Sequence, residues 1–167
     1  MDLYKEIIES FINADKVLIG IGTGVNKPDE KIIHFYNGYL EKKDWFIITS
    51  RTDNLFSDLS IGEKRVCNVL LENNEKQWEL YNKWLSGTLN KKLLIVELGE
   101  DFSRPHIFRW PFEKIVFINK LSTLYRINEK FYQLPENIGD RAYGYKINVN
   151  NFIEELMKML KDRNVIC

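Results

Sequence analysis

The stretch from Lys16 to Asn26, KVLIGIGTGVN, constrains the fold more than any other part of the chain. Its first half, Val17 to Ile21, is a short apolar run typical of a buried strand, and glycines stand at positions 20, 22 and 24. Glycine lets a backbone turn tightly and approach a phosphate, and a helix after such a turn directs free N–H groups at that phosphate. The stretch therefore predicts the first strand and turn of a nucleotide-binding α/β sheet, with a plain turn as the alternative. The spacing is Gly-x-Gly-x-Gly, because Val25 stands where the dinucleotide-binding fingerprint has its third glycine.

The rest of the chain alternates between helical and strand patterns. Apolar spacing predicts four helices, at Asp2–Asn13, from Pro28 onward, at Lys76–Leu85 and at Phe152–Leu160. The second helix would place Ile32, Ile33, Tyr36 and Leu40 inward, and Asn150 or Asn151 would cap the last helix. Apolar runs predict strands at Trp45–Thr49, Arg65–Leu71, Leu93–Val96 and Lys114–Asn119, a mixed segment at Lys120–Tyr132, and an edge strand at Tyr143–Val149. Strands joined by helical crossovers predict an α/β fold of three layers, a mostly parallel sheet with helices on both faces.

Composition narrows the class of function. The 167 residues predict one domain, and 24 basic residues balance 24 acidic ones, which argues against a nucleic-acid partner. No apolar run approaches the length of a membrane span, and the charged N-terminus, MDLYKEIIES, is not a signal peptide. Cys67 and Cys167 are far apart, so we expect neither a zinc site nor a disulfide framework, and a reducing cytoplasm fits.

A polar cluster, Ser50 to Asp53, follows the second predicted strand. Ligands of open α/β sheets bind at the carboxyl ends of the strands, so this cluster is a candidate part of a site. The alternative is a loop in which Asp53 caps a following helix.

One segment resembles a known family. Leu94 to Glu113, LIVELGEDFSRPHIFRWPFE, is similar to the Glu-Leu-Gly…Pro…Ile-Arg…Pro-Phe-Glu stretch of sirtuin-like proteins, especially the class associated with macrodomains. Trp78, Tyr81, Trp84, Leu85 and Thr88 also resemble that class. The resemblance covers nearly the whole chain, although this chain is much shorter than a typical member and has no cysteine zinc module.

The resemblance implies a Rossmann-like domain that binds NAD and cleaves its nicotinamide–ribose bond. It implies phosphate contacts at the glycine turn, a Thr-x-Asn-x-Asp segment at Thr49–Asp53, and an asparagine near the adenosine end, Asn119. The cofactor-binding residues implied in this way are Gly20, Gly22, Thr23, Gly24, Asn26, Thr49, Gly99, Asp101 and Asn119, and the catalytic residues implied are Asp53 and Arg51.

The sequence departs from the family at the residues that carry chemistry. Arg51 replaces the asparagine that orients the ribose, and no histidine follows Asp53 before the end of the next strand. Glu100 and Asp101 replace a small Thr-Ser pair and would repel a pyrophosphate, although Arg51 could offset either charge. Asn68 or Asn73 lies near the region where the histidine is expected, without a secure alignment.

These observations favour a catalytically degenerate domain that binds NAD or ADP-ribose weakly or not at all. Two alternatives stay open. One is an active NAD glycohydrolase or ADP-ribosyltransferase, with Asp53 and Arg51 in new roles. The other is a protein-interaction module without a ligand, whose protein partner the sequence does not identify.

Overall fold

A computed structural model describes residues 2–26, 42–53 and 64–162. The helices are α1 (Leu3–Asn13), α2 (Glu75–Ser86), α3 (Arg109–Ile118) and α4 (Val149–Asp162), with a short 3-10 helix at Glu136–Ile138. The strands are β1 (Lys16–Ile21), β2 (Asp44–Thr49), β3 (Val66–Asn68), β4 (Leu93–Leu98), β5 (Thr123–Ile127) and β6 (Ala142–Tyr145). The helix predicted from Pro28 onward lies outside the described residues.

The strands of the described residues form one six-stranded sheet in the order β3-β2-β1-β4-β5-β6, and every pair is parallel. The chain builds outward from β1 in one direction and then, starting again at β4, in the other. This order is that of dinucleotide-binding Rossmann folds, whose ligands bind where the order reverses. Here the reversal lies between β1 and β4, which pair from Lys16 with Leu93 to Ile21 with Leu98.

Alternate strand residues face two separate cores. On one face, Val17, Ile19 and Ile21 pack with the apolar sides of α1 and α4. On the other, Leu18 packs with residues of α2 and α3, and Cys67 is part of this second core. Both faces of a parallel sheet are thereby covered, which explains why its strands are apolar almost without interruption. The predicted three-layer α/β fold is confirmed.

Two predicted elements differ from the structure. Lys114–Asn119 is not a strand, because the helix α3 runs through it to Ile118. The run of adjacent apolar residues suggested a buried strand, but Phe112 and Val116 are buried one helical turn apart while Phe117 and Ile118 are exposed. The strand lies instead at Thr123–Ile127, within the segment that the sequence left as mixed.

Other boundaries shift by a few residues. The third strand is shorter than the predicted Arg65–Leu71, and the edge strand β6 is shorter than Tyr143–Val149. The last helix begins at Val149, and Asn148 caps it, because its Oδ1 accepts the backbone N–H groups of Asn150 (3.0 Å) and Asn151 (3.3 Å). The predicted caps, Asn150 and Asn151, are therefore within the first turn.

Candidate functional site

The ends of β1 and β4 lie side by side at the carboxyl edge of the sheet, and the turns that follow them are in backbone contact. The N–H of Gly22 donates to the carbonyl of Leu98 (2.8 Å), and the N–H of Gly24 donates to the carbonyl of Gly99 (3.0 Å). These two turn N–H groups are satisfied by protein carbonyls. The glycine turn therefore continues the contact between the two central strands.

This contact explains the glycines. A Cβ on residue 22 would lie 2.4 Å from Cα of Glu100, and a Cβ on residue 24 would lie 2.8 Å from the carbonyl oxygen of Gly99. Gly99 itself has a φ of +64°, a conformation that favours glycine. Gly20 is small for another reason, since a Cβ there would lie 2.5 Å from the ring of Phe112 on α3.

A crevice of about 200 Å³ opens beside these turns, and we call it the edge crevice. It is lined by Thr23, Gly24, Gly99, Asp101, Asn128, Glu129, Lys130, Phe131, Asn148 and Val149. Four of the implied cofactor-binding residues are therefore brought together: Thr23, Gly24, Gly99 and Asp101. Asn26 lies close by, because its backbone N–H donates to Asn150 Oδ1 (2.8 Å) and the Asn150 side chain donates to the carbonyl of Gly24 (3.3 Å).

The sequence interpretation missed the wall of the crevice formed by residues 128–131. Asn128 directly follows β5, and its Oδ1 accepts the N–H groups of Lys130 and Phe131, both at 2.9 Å. Its Nδ2 donates to the carbonyl of Glu100 (2.6 Å), so this one side chain connects the loops after β4 and β5. A polar residue straight after a strand was the available signal, and it went unused because β5 was not recognised as a strand.

Asp101 is an acidic lining residue whose carboxylate is stabilised by hydrogen bonds. Its Oδ1 accepts hydrogen bonds from the backbone and hydroxyl of Ser103, and these bonds lower the pKa of Asp101. The carboxylate is therefore ionised at neutral pH. Lys130 is exposed and supplies the one cationic side chain among the described residues that line the crevice.

Thr49, Arg51 and Asp53 lie at the end of β2 and do not line the edge crevice. Thr49 is buried, donating to the carbonyl of Ile21 (2.8 Å) and accepting the N–H of Arg51 (3.1 Å). Arg51 donates from Nε to Asp53 Oδ1 (3.0 Å) and from Nη2 to Asp53 Oδ2, and its Nη1 donates to the carbonyl of Val25. Arg51 therefore offsets the charge of Asp53, and the expectation that it pairs with Glu100 or Asp101 is wrong.

Glu100, in the turn after β4, is buried, with 5% of its surface exposed. Its Oε2 accepts a hydrogen bond from the Ser50 hydroxyl (2.5 Å). Burial raises the pKa of Glu100 to about 7, the nearby charges of Asp101 and Glu97 add to that effect, and the Ser50 hydrogen bond and Arg109 oppose it. A carboxyl of this kind is protonated in a large fraction of molecules near neutral pH.

Charged side chains of β4, α3 and β5 form a buried network. Glu97 Oε1 accepts from Arg109 (2.9 Å), and both Glu97 oxygens accept from Arg126 (2.9 Å each). Arg126 also pairs with Glu113 (2.8 Å). Two arginines thus balance two glutamates in the interior, as buried charges require.

The same network fixes the backbone around the crevice. Arg109 donates to the carbonyls of Glu100 (3.3 Å) and Phe131 (2.8 Å), and Arg126 donates to the carbonyl of Gln133 (2.7 Å). The loops after β4 and β5 are therefore both hydrogen-bonded to this buried network.

Asn119 lies far from these residues in the fold. It ends α3, and its side chain donates to the carbonyls of Thr88 (3.0 Å) and Lys91 (3.1 Å), which precede β4. It therefore stabilises the opposite, amino-terminal edge of the sheet, and its position gives it no contact with the edge crevice.

Comparisons with known proteins add no family. No protein-family model matches the chain, and no curated protein sequence matches it. Within residues 2–26, 42–53 and 64–162, no group of three or more His, Cys, Asp or Glu side chains is arranged to hold a metal ion. Over the same residues, no helix combines the length and apolarity needed to cross a membrane.

Proposed function

We propose that this chain is a Rossmann-like domain that binds NAD or ADP-ribose in the edge crevice and does not carry out sirtuin chemistry. The observation that carries the proposal is the position of the crevice. It lies at the carboxyl edge of a parallel sheet, beside the point between β1 and β4 where the strand order reverses. Crevices at that point are the usual ligand sites of such sheets. The sequence resemblance to sirtuin-like proteins supplies the choice of nucleotide.

The electrostatics of the crevice favour weak binding. Within the part of the chain that the structure describes, Asp101 and Glu129 line it together with a single cation, Lys130. A pyrophosphate is anionic, so Lys130 attracts it while the two carboxylates repel it. The N–H groups of Gly22 and Gly24, which would strengthen phosphate binding, are already bonded to carbonyls of β4 and its turn.

The residues at the end of β2 support the loss of catalysis. A guanidinium such as that of Arg51 has no acceptor atom, and Asp53 forms an ion pair with it, so neither side chain is available as a general base. In the buried network, Glu97 forms an ion pair with Arg109, and Glu113 forms one with Arg126. A positioned general base contributes roughly a hundred- to ten-thousand-fold in rate, and none of these groups supplies one.

Calorimetric titration with ADP-ribose and NAD tests the proposal. We expect both to bind, and we expect Lys130→Met to weaken that binding several-fold at low salt, because the variant removes a cationic side chain that lines the crevice. Lys120→Met is the matched control, since Lys120 is also exposed but lies over Phe117, at the end of α3 away from the crevice. Absence of binding by the unmodified protein at millimolar ligand, or equal binding by Lys130→Met, would overturn the proposal.

A chromatographic assay for free nicotinamide separates the alternatives. We expect none to be released from NAD. Release that Asp53→Ala abolishes would indicate an NAD glycohydrolase or ADP-ribosyltransferase. A protein that binds neither nucleotide would instead favour the interaction module.

A further inference from the structure

Two aromatic rings flank the mouth of the edge crevice. Phe131 lines it, and Phe102 lies beside Phe131 with ring centroids 6.3 Å apart and planes inclined by 33°. Phe102 follows Asp101, another lining residue, and leaves 53% of its surface exposed. The Phe102 ring therefore combines a contact with the lining residue Phe131 and a surface that a ligand can reach.

Both rings are held in place by the buried network. The Arg109 guanidinium lies 5.4 Å from the centroid of Phe102 and so supports one face of that ring. Arg109 is itself fixed by Glu97 (2.9 Å) and donates to the backbone carbonyl of Phe131 (2.8 Å). Asn128 fixes the Phe131 backbone from the other side. The two rings are therefore preorganised side by side at an angle of 33°, supported by residues that are almost entirely buried.

We propose that Phe102 and Phe131 stack the aromatic base of the bound nucleotide. This inference rests on the proposed function, that a nucleotide occupies the edge crevice, and specifies which part of it these residues recognise. Aromatic side chains bind nucleobases through their π faces and tolerate different bases. The acidic side chains Asp101 and Glu129 repel phosphates but accept hydrogen bonds from base amino groups and ribose hydroxyls. The base end therefore suits this side of the crevice better than the phosphate end does.

The test uses two probes that separate the ends of a nucleotide, adenosine and ribose 5-phosphate, titrated calorimetrically into the full chain. Phe102→Leu removes the aromatic face and keeps an apolar side chain. We expect it to weaken adenosine binding about fivefold or more, the usual effect of losing one base–aromatic stack. We expect ribose 5-phosphate binding to stay the same, and Phe102→Trp to retain adenosine binding.

Phe117→Leu is the matched control. Phe117 is 50% exposed and has the Lys120 ammonium 4.9 Å from its ring centroid, so it copies the exposure and the cation contact of Phe102 without bordering the crevice. We expect it to bind both probes like the unmodified protein. Thermal melts of both variants check that each is folded.

The outcomes separate this inference from the proposed function. If ADP-ribose binds and Lys130→Met weakens it, but Phe102→Leu binds adenosine normally, the stacking surface is refuted and the crevice stands. Binding of ribose 5-phosphate without adenosine would also refute the stacking surface. If the unmodified protein binds none of the nucleotide probes, the proposed function and the inference both fail.

Discussion

Replacing Glu100 by glutamine should change how the stability of this protein depends on pH. Glutamine has nearly the same shape, can accept the Ser50 hydrogen bond, and carries no charge at any pH. In the folded chain the Glu100 carboxyl has 5% of its surface exposed, and its pKa is raised from 4.5 to about 7. In the unfolded chain its pKa returns to the ordinary range.

The sign of the effect follows from these two values. Because the folded-state pKa is the higher one, the contribution of Glu100 to stability is fully present below pH 4.5 and is lost as the pH rises through about 7. The difference between the values corresponds to about 3 kcal/mol at roughly 1.4 kcal/mol per pKa unit. We therefore expect Glu100→Gln to match the unmodified protein at acid pH and to exceed its free energy of unfolding by up to about 3 kcal/mol in mildly alkaline buffer.

Urea denaturation at several pH values measures this directly. Glu72→Gln, at an exposed position in the turn before α2, is the control and should differ from the unmodified protein by less than about 0.5 kcal/mol. If the curves of Glu100→Gln and the unmodified protein stay parallel from acid to alkaline pH, the pKa of the carboxyl is the same in the folded and unfolded chain, and the reasoning from its burial is wrong.

Three further predictions concern the packing, the buried charges and the chemistry. Gly22→Val places side-chain carbon within 2.4 Å of the Glu100 backbone, so its melting temperature should fall sharply, whereas Gly87→Ala, whose new carbon meets nothing closer than 3.4 Å, should melt normally. Arg126→Met should lower the free energy of unfolding by about 3 kcal/mol in urea denaturation, because the buried Glu97 carboxylate then keeps Arg109 but loses its second arginine partner, and adding Glu97→Gln should recover part of that loss; equal stability of the single and double variants would contradict this. The unmodified protein should remove no acyl group from an acylated lysine peptide with NAD, and NAD-dependent turnover would show that a catalytic set is present.

The fold was predictable because its signals are local. Uninterrupted apolar runs such as Val17–Ile21 indicate strands buried on both faces, and the helical spacing of α1 and α4 is clear in the sequence. The failure at Lys114–Asn119 came from Ile115–Ile118, where four apolar residues follow one another. Periodicity cannot distinguish helix from strand in such a run, and contacts with β5 and the 3-10 helix decided it.

The site was only partly predictable because its contacts connect distant parts of the chain. The glycines at 22 and 24 were interpreted as room for a phosphate, but the atoms nearest to them belong to Gly99 and Glu100. A sequence shows that a position needs a small residue without showing what approaches it. The partners of Glu97 could not be predicted for the same reason, since the pairing of β4 with β5 brings Arg126 next to it.

The central strand pair also has a consequence for how the domain assembles. Lys16 and Leu93 are register partners in β1 and β4 although 77 positions separate them, so closing this pair carries the largest loop entropy among the parallel pairings of the sheet. It also joins two three-stranded halves, β3-β2-β1 and β4-β5-β6. The edge crevice takes Thr23 and Gly24 from the first half and Asn128 and Phe131 from the second. It therefore exists only when the halves are joined, and any ligand of the crevice stabilises the joined state relative to the separate halves.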